Sequence, residues 1–145
     1  MTLKFVTQQQ PSQTHELRLE SQIQEVDRVI DFVAGCLPKT VLWNCQTAMV
    51  EGFVNAVKHA HKTLPATTEI RLEVLLFEQW VECRVWDQGP PFDWAGALQA
   101  KLINPPGPND TSGRGMIWMH KLMDQVDYIR VNDGQNCLKL YKQLS

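Results

Sequence analysis

Glu51-Gly52-Phe53-Val54-Asn55-Ala56-Val57-Lys58-His59 is the stretch whose reading decides the fold. It lies within a helical pattern from about Thr40 to about Lys62. At ~100° per residue, Glu51, Asn55, Lys58 and Lys62 share one stripe, with His59 at its edge. The opposite stripe carries Leu42, Met49, Phe53, Val57 and Ala60, so one side packs on a core and the other meets solvent or a ligand. A carboxylate and a carboxamide one turn apart can share a hydrated metal ion or orient a hydroxyl. Lys58 and His59 add positive charge suited to an anion. Gly52 inside the helix costs about 1 kcal/mol against Ala and predicts a close approach to the backbone there. E-x-x-x-N alone usually marks a solvated helix face, so the rest of the chain has to decide.

Outward from this helix the chain reads as alternating elements. Glu16–Glu20 alternates polar and apolar and predicts a strand, with residues 1–14 a loose arm or short edge strand. Ser21 is placed to cap a helix from Gln22 to about Cys36, which Gly35 and Pro38 end. Thr40 is placed to cap the long helix, and Pro65 stops it. Ile70, Leu72, Val74 and Leu76, then Val81, Cys83 and Val85, alternate in two strands joined near Glu78-Gln79, a predicted hairpin. Asp87 falls in phase with the second set, so a carboxylate arrives on the core-facing side at a strand end. Such a group is costly unless partners satisfy it.

Residues 88–112, rich in Pro and Gly, predict a lid loop with a short helix from Asp93 to Leu102. The loop leads to Gly113-Arg114-Gly115 at a helix start, where free backbone N–H groups and the helix dipole favour an anion. Met116, Met119, Leu122, Met123 and Val126 form that helix's apolar stripe. Strands Val126–Val131 and Cys137–Tyr141 close the chain through an Asn132-Asp133-Gly134 turn.

The 145 residues suit one domain over 1–145 with a single core. A net charge of −2, with dispersed Lys and Arg, gives no general attraction to nucleic acid or an anionic membrane. No apolar run reaches the ~20 residues of a membrane span, and the N-terminus does not read as a signal peptide. Cys36, Cys45, Cys83 and Cys137 show no metal-ligand spacing, and free thiols in a reducing cytoplasm are the reading.

The motif order, a helix with E-x-x-x-N-A-V-x-H, a strand end with Asp87-x-Gly89-x-x-Phe92-Asp93, and GRGMIWMHKLMDQVDY after a lid, resembles the N, G1 and G2 boxes of the GHKL ATPases. It is most similar to the anti-sigma factor serine/threonine kinases of the RsbW and SpoIIAB type. The resemblance implies an α+β two-layer sandwich, the Bergerat fold: a mixed, mainly antiparallel sheet covered by helices on one face, with an ATP lid. It implies ATP and Mg²⁺ as cofactors. By position, Asn55 corresponds to the magnesium ligand and Glu51 to the general base. Asp87 corresponds to the acceptor of the adenine amino group, and Gly89 to the residue that lets the base approach. Gly113, Arg114 and Gly115, with Met116, correspond to the lid end that cradles phosphates. Lys58 and His59 stand where the family carries polar or basic residues near them. Asn136-Cys137 replaces the family's Gly-Thr, whose hydroxyl helps fix adenine; a thiol is a weak donor. The implied partners are a STAS-type anti-anti-sigma factor, a sigma factor and a second copy of the chain. The alternative is a nucleotide-switched, non-catalytic module that sequesters a sigma factor or other regulator.

Overall fold

The computed structural model describes residues 9–108 and 113–144. Five strands form one sheet: β1 (Gln13–Glu20), β2 (Glu69–Leu76), β3 (Trp80–Asp87), β4 (Gln125–Asn132) and β5 (Gln135–Gln143), in the order β1-β2-β3-β5-β4. All four pairings are antiparallel, so among the described residues the expected mainly antiparallel sheet is wholly so. β5 returns between β3 and β4 and sets Asn136 directly opposite Asp87. The predicted first strand is longer than Glu16–Glu20 because Gln13 and Thr14 pair with Leu76 and Leu75.

Helices α1 (Val26–Cys36), α2 (Lys39–Asn55) and α4 (Arg114–Leu122) cover one face, with α2 packed between the other two. The inward residues of the strands, among them Ile70, Leu72, Val74, Val81, Val85, Leu138 and Leu140, meet Val33, Met49, Phe53 and Met119 in a single core. Phe53 is fully buried at its centre. The buried line of α2 runs through Val41, Cys45, Ala48, Met49, Gly52, Phe53 and then Ala56, rather than through Leu42 and Val57. Gly52 is needed because the sheet lies against it: a Cβ there would sit 2.8 Å from Leu138 Cδ2 and 3.2 Å from Val85 Cγ2. The close approach anticipated at Gly52 is therefore that of β5 and β3.

Neither predicted hydroxyl cap forms. Pro38, extended at φ −67 and ψ 152, leads directly into Lys39, and a short 3₁₀ turn (Ile23–Glu25) precedes α1. The opposite face of the sheet carries charge. Arg18 pairs with Glu16 and Glu69, Arg71 with Glu16 and Glu73, and Arg84 with Glu82 and Glu73, while the Arg71 guanidinium lies 4.3 Å over the Trp86 ring. The exposed pairs of Arg18 contribute little, whereas Glu82 is buried and its pairing with Arg84 satisfies a charge that would otherwise be costly, beside an apolar cluster of Leu75, Phe77, Trp80 and Tyr141. No helix among the described residues is long and apolar enough to cross a membrane.

Truncating the core centre, Phe53→Ala, is expected to cost about 3–5 kcal/mol. Urea unfolding followed by circular dichroism measures it as a lowered midpoint at unchanged slope.

Candidate functional site

Past Asn55 the helix widens. Ala56–Ala60 forms a π turn, with His61 N–H bonding back to the Ala56 carbonyl at 2.8 Å. The wider turn places residues four and five apart on one side. Asn55, Ala56, His59 and Ala60 thus line a common cavity, whereas Lys58 points to solvent outside it. Straight α-helical phasing put Lys58 on the ligand stripe; the π turn exchanges it for His59.

The cavity measures about 380 Å³ and lies between this helix, the sheet and the lid. Asp87 closes its floor, and Val85, Leu138 and Met116 supply apolar wall. Helix α3 (Trp94–Ile103) covers it with Trp94 and Lys101. Asp93 begins α3 as a cap, its carboxylate accepting from Gly96 N–H at 3.1 Å, which places the predicted lid helix one residue further along. Residues 109–112 of the predicted lid lie outside the described residues.

Asp87 is 3% exposed and accepts three hydrogen bonds. Its Oδ1 accepts from Gly89 N–H at 2.9 Å and from Asn136 Nδ2 at 2.8 Å, and its Oδ2 accepts from the Tyr128 hydroxyl at 2.6 Å. Asn136 Nδ2 also lies 3.0 Å from the Pro90 carbonyl and 3.3 Å from that of Gly89. Arg130 Nη1 donates to Asn136 Oδ1 at 3.2 Å and to the Gly89 carbonyl at 2.6 Å, which fixes the orientation of the amide. Burial first, then the neighbouring carboxylate, holds the Tyr128 phenol protonated far above its ordinary range. Cys137 faces the other side of the sheet across from Trp86, and burial pushes its thiol up to about 12. The thiol thus has no part in the cavity; Asn136 occupies the position of interest.

The remaining predicted residues distribute unevenly. Gly113 and Met116 line the cavity beside Asn55. Gly113 starts α4 in the left-handed conformation at φ 88, with the Lys101 side chain against it. Glu51 approaches Gly115 so closely that a Cβ there would collide with its Oε2. Burial raises the Glu51 carboxyl above its ordinary range, and Lys58 draws it partly back. Gly89 packs on the end of the π turn, where a Cβ would meet the Ala60 carbonyl at 2.5 Å. Arg114 turns away from the cavity and donates to the Gly107 carbonyl at 2.6 Å.

Periodicity had pointed to none of Tyr128, Asn136, Arg130, Trp94, Lys101 or His61, whereas Lys62, on the predicted stripe, does line the cavity. The in-phase acid Asp87 was the available signal that buried donors had to exist, without naming them. His61 is 3% exposed and its Nε2 accepts from Gln88 N–H at 2.8 Å, tying the end of the π turn to the residue after Asp87.

His59, Lys62 and Lys101 around the cavity suit an anionic ligand, although the chain carries a net charge of −2. Asn55 offers one hard oxygen donor at the cavity wall. Groups of three or more His, Cys, Asp or Glu side chains placed to hold a metal are absent among the described residues. A single carboxamide fits magnesium held jointly with phosphate oxygens rather than in an all-protein cage.

The sequence pattern of the histidine kinase-like ATPase domain matches residues 16–142. The serine-protein kinase RsbW of Bacillus licheniformis is 33% identical over 93 residues, 60% of this chain and 56% of that protein, so the match spans little more than half of the relative's length. Among solved structures, the histidine kinase domain of the E. coli osmosensor EnvZ superposes with a TM-score of 0.49 at 13% identity, over 97% of this chain and 93% of that one.

Burial lowers the His61 pKa, with Asp87 opposing, so the folded state holds this ring neutral. Its contribution is complete above the ordinary value near 6.5 and is lost as pH falls below that toward the depressed folded value. The urea midpoint is expected to drop between pH 7.5 and pH 5.5, and the drop to shrink in His61→Gln.

Proposed function

Because the chain belongs to the histidine kinase-like ATPase domain family, we propose that it binds ATP with Mg²⁺ in this cavity and phosphorylates a serine or threonine of a partner protein. The carrying observation is the convergence on one 380 Å³ space of a buried acid, a lone carboxamide and three basic side chains, with Glu51 beside it at the start of α4. In this reading Asp87 receives the base, while His59, Lys62 and Lys101 attract the phosphates. Asn55 and the phosphate oxygens would hold magnesium, which when bound neutralises charge on the transferring group. The left-handed Gly113 lets the lid turn abruptly into α4, whose N-terminus favours negative charge.

Glu51 acts as general base. It takes the proton of the acceptor hydroxyl as that oxygen bonds the γ-phosphorus and the bridging P–O bond breaks to release ADP. Most of the rate enhancement comes from positioning and charge neutralisation. The likeness to a serine-protein kinase supports a hydroxyl acceptor. The N-box and lid motifs make a STAS-type anti-anti-sigma factor the substrate class to test, with a sigma factor as the sequestered partner.

With labelled ATP, magnesium and purified STAS proteins, Glu51→Gln is expected to lower transfer by about 10²–10⁴-fold while ATP affinity is retained. Equal transfer by variant and wild type overturns the base assignment. Nucleotide binding and sigma capture with no turnover in the wild type select the non-catalytic module instead. The raised carboxyl sets a second expectation. A base must be ionised, so the rate is lost on acidification at a pH above 4.5, the ordinary Glu value. Lys58→Ala moves that acid limb further up. Single-turnover rates across pH locate it.

A further inference from the structure

Tyr128, the last residue of the GRGMIWMHKLMDQVDY run, lines the cavity. Its hydroxyl meets Asp87 Oδ2 at 2.6 Å, and its ring stacks on Trp94 at 5.3 Å and 28° and stands edge-on to Phe92 at 6.2 Å. It thereby links the floor of the cavity to the first turn of the lid helix.

The hydrogen-bonding capacity at this spot can be counted. A carboxylate offers about four lone-pair positions and no proton. Gly89 N–H, Asn136 Nδ2 and the Tyr128 hydroxyl take three of them. The Tyr128 proton is committed to Asp87. The Asn136 amide protons are committed to Asp87 and to the Gly89 and Pro90 carbonyls, and its oxygen to Arg130. What these groups still offer an incoming ligand is acceptor capacity: the last Asp87 position and the phenol oxygen.

We propose that Tyr128 is a specificity-determining positioning residue, which commits the floor of the cavity to accepting hydrogen bonds and so selects a purine bearing an exocyclic amino group over its 6-oxo counterpart. This rests on the ATP reading of the cavity. A 6-amino group donates into the free acceptors. A 6-oxo group sets oxygen against oxygen where a 6-amino group would donate, its own N1–H donor lying one ring position away, and the committed donors cannot turn to meet it. Removing the hydroxyl leaves room for a water, which can reorient to donate or accept, and discrimination is lost.

The test is titration calorimetry of wild type and Tyr128→Phe with Mg·ATP and Mg·ITP, nucleotides that differ on the 6-position edge of the base. Phenylalanine keeps the ring that packs on Trp94. Wild type is expected to prefer ATP. In Tyr128→Phe the ratio of the ITP to the ATP dissociation constant is expected to fall about tenfold, the effect of one charge-assisted hydrogen bond. An unchanged ratio in a variant that still binds ATP overturns the role of Tyr128 alone. ATP tightening equally with ITP shows that the side chain only fills the cavity, and overturns it too. Wild type that binds neither nucleotide removes the ATP reading and this inference together. Should the variant fail to fold, ¹³Cζ-tyrosine labelling of wild type gives the same decision. Tyr128 and Tyr141 are the two tyrosines of the chain, and the Tyr128 resonance is expected to shift on addition of ATP more than of ITP; equal shifts overturn the proposal.

Discussion

A buried carboxylate imposes the arrangement of everything around it. Asp87 sits at the end of the central strand β3, with its side chain on the helix-covered face. Left without donors, an ionised group there would cost several kcal/mol. Donors come from three places: Gly89 in the following turn, Asn136 directly across on β5, and Tyr128 one strand further out on β4. The strand order β3-β5-β4 makes this possible. Arg130 locks the amide that serves the acid and bonds the Gly89 carbonyl as well. The floor of the cavity is therefore rigid and leaves little of its own hydrogen-bonding capacity unspent.

The helical side meets the same floor with a different device. α2 lies flat on the sheet because Gly52 admits Leu138 and Val85. The π turn that follows ends at Ala60, against Gly89, and at His61, against the Gln88 amide. Two contacts thus hold the end of the helix to the residues just after Asp87. The distance from the acid to Asn55 and His59 is set by backbone packing rather than by flexible side chains. A glycine at 89 is required by the neighbouring Ala60 carbonyl, whatever ligand the cavity takes.

At the far end, the start of α4 fits against Glu51. Gly115 has no side chain to displace the carboxylate, and Gly113 makes a turn that a residue with a Cβ adopts only at a cost. The two glycines of G-R-G therefore answer to separate constraints, one conformational and one steric. The arginine between them reaches back to the lid at Gly107. These constraints explain why two glycines stand at the beginning of a helix, where propensity alone disfavours them.

Local pattern was enough for much of this protein. Two-residue alternation identified the strands and put Asp87 on the inner face, because side-chain direction in a strand depends only on position along it. Pro and Gly punctuation marked the irregular connection after Asp87, and the motif order carried the family resemblance. Local pattern could not reach Tyr128 and Asn136, which meet Asp87 from 41 and 49 positions away. Alternation says which face a residue is on and nothing about which strand lies beside it. Nor could it anticipate the π turn, since a single widened turn leaves no mark in a 3.6-residue period and yet trades Lys58 for His59. The buried acid was written in the chain; the donors that satisfy it were chosen by the order of the strands, because only folding brings distant donors within hydrogen-bonding distance of a buried charge.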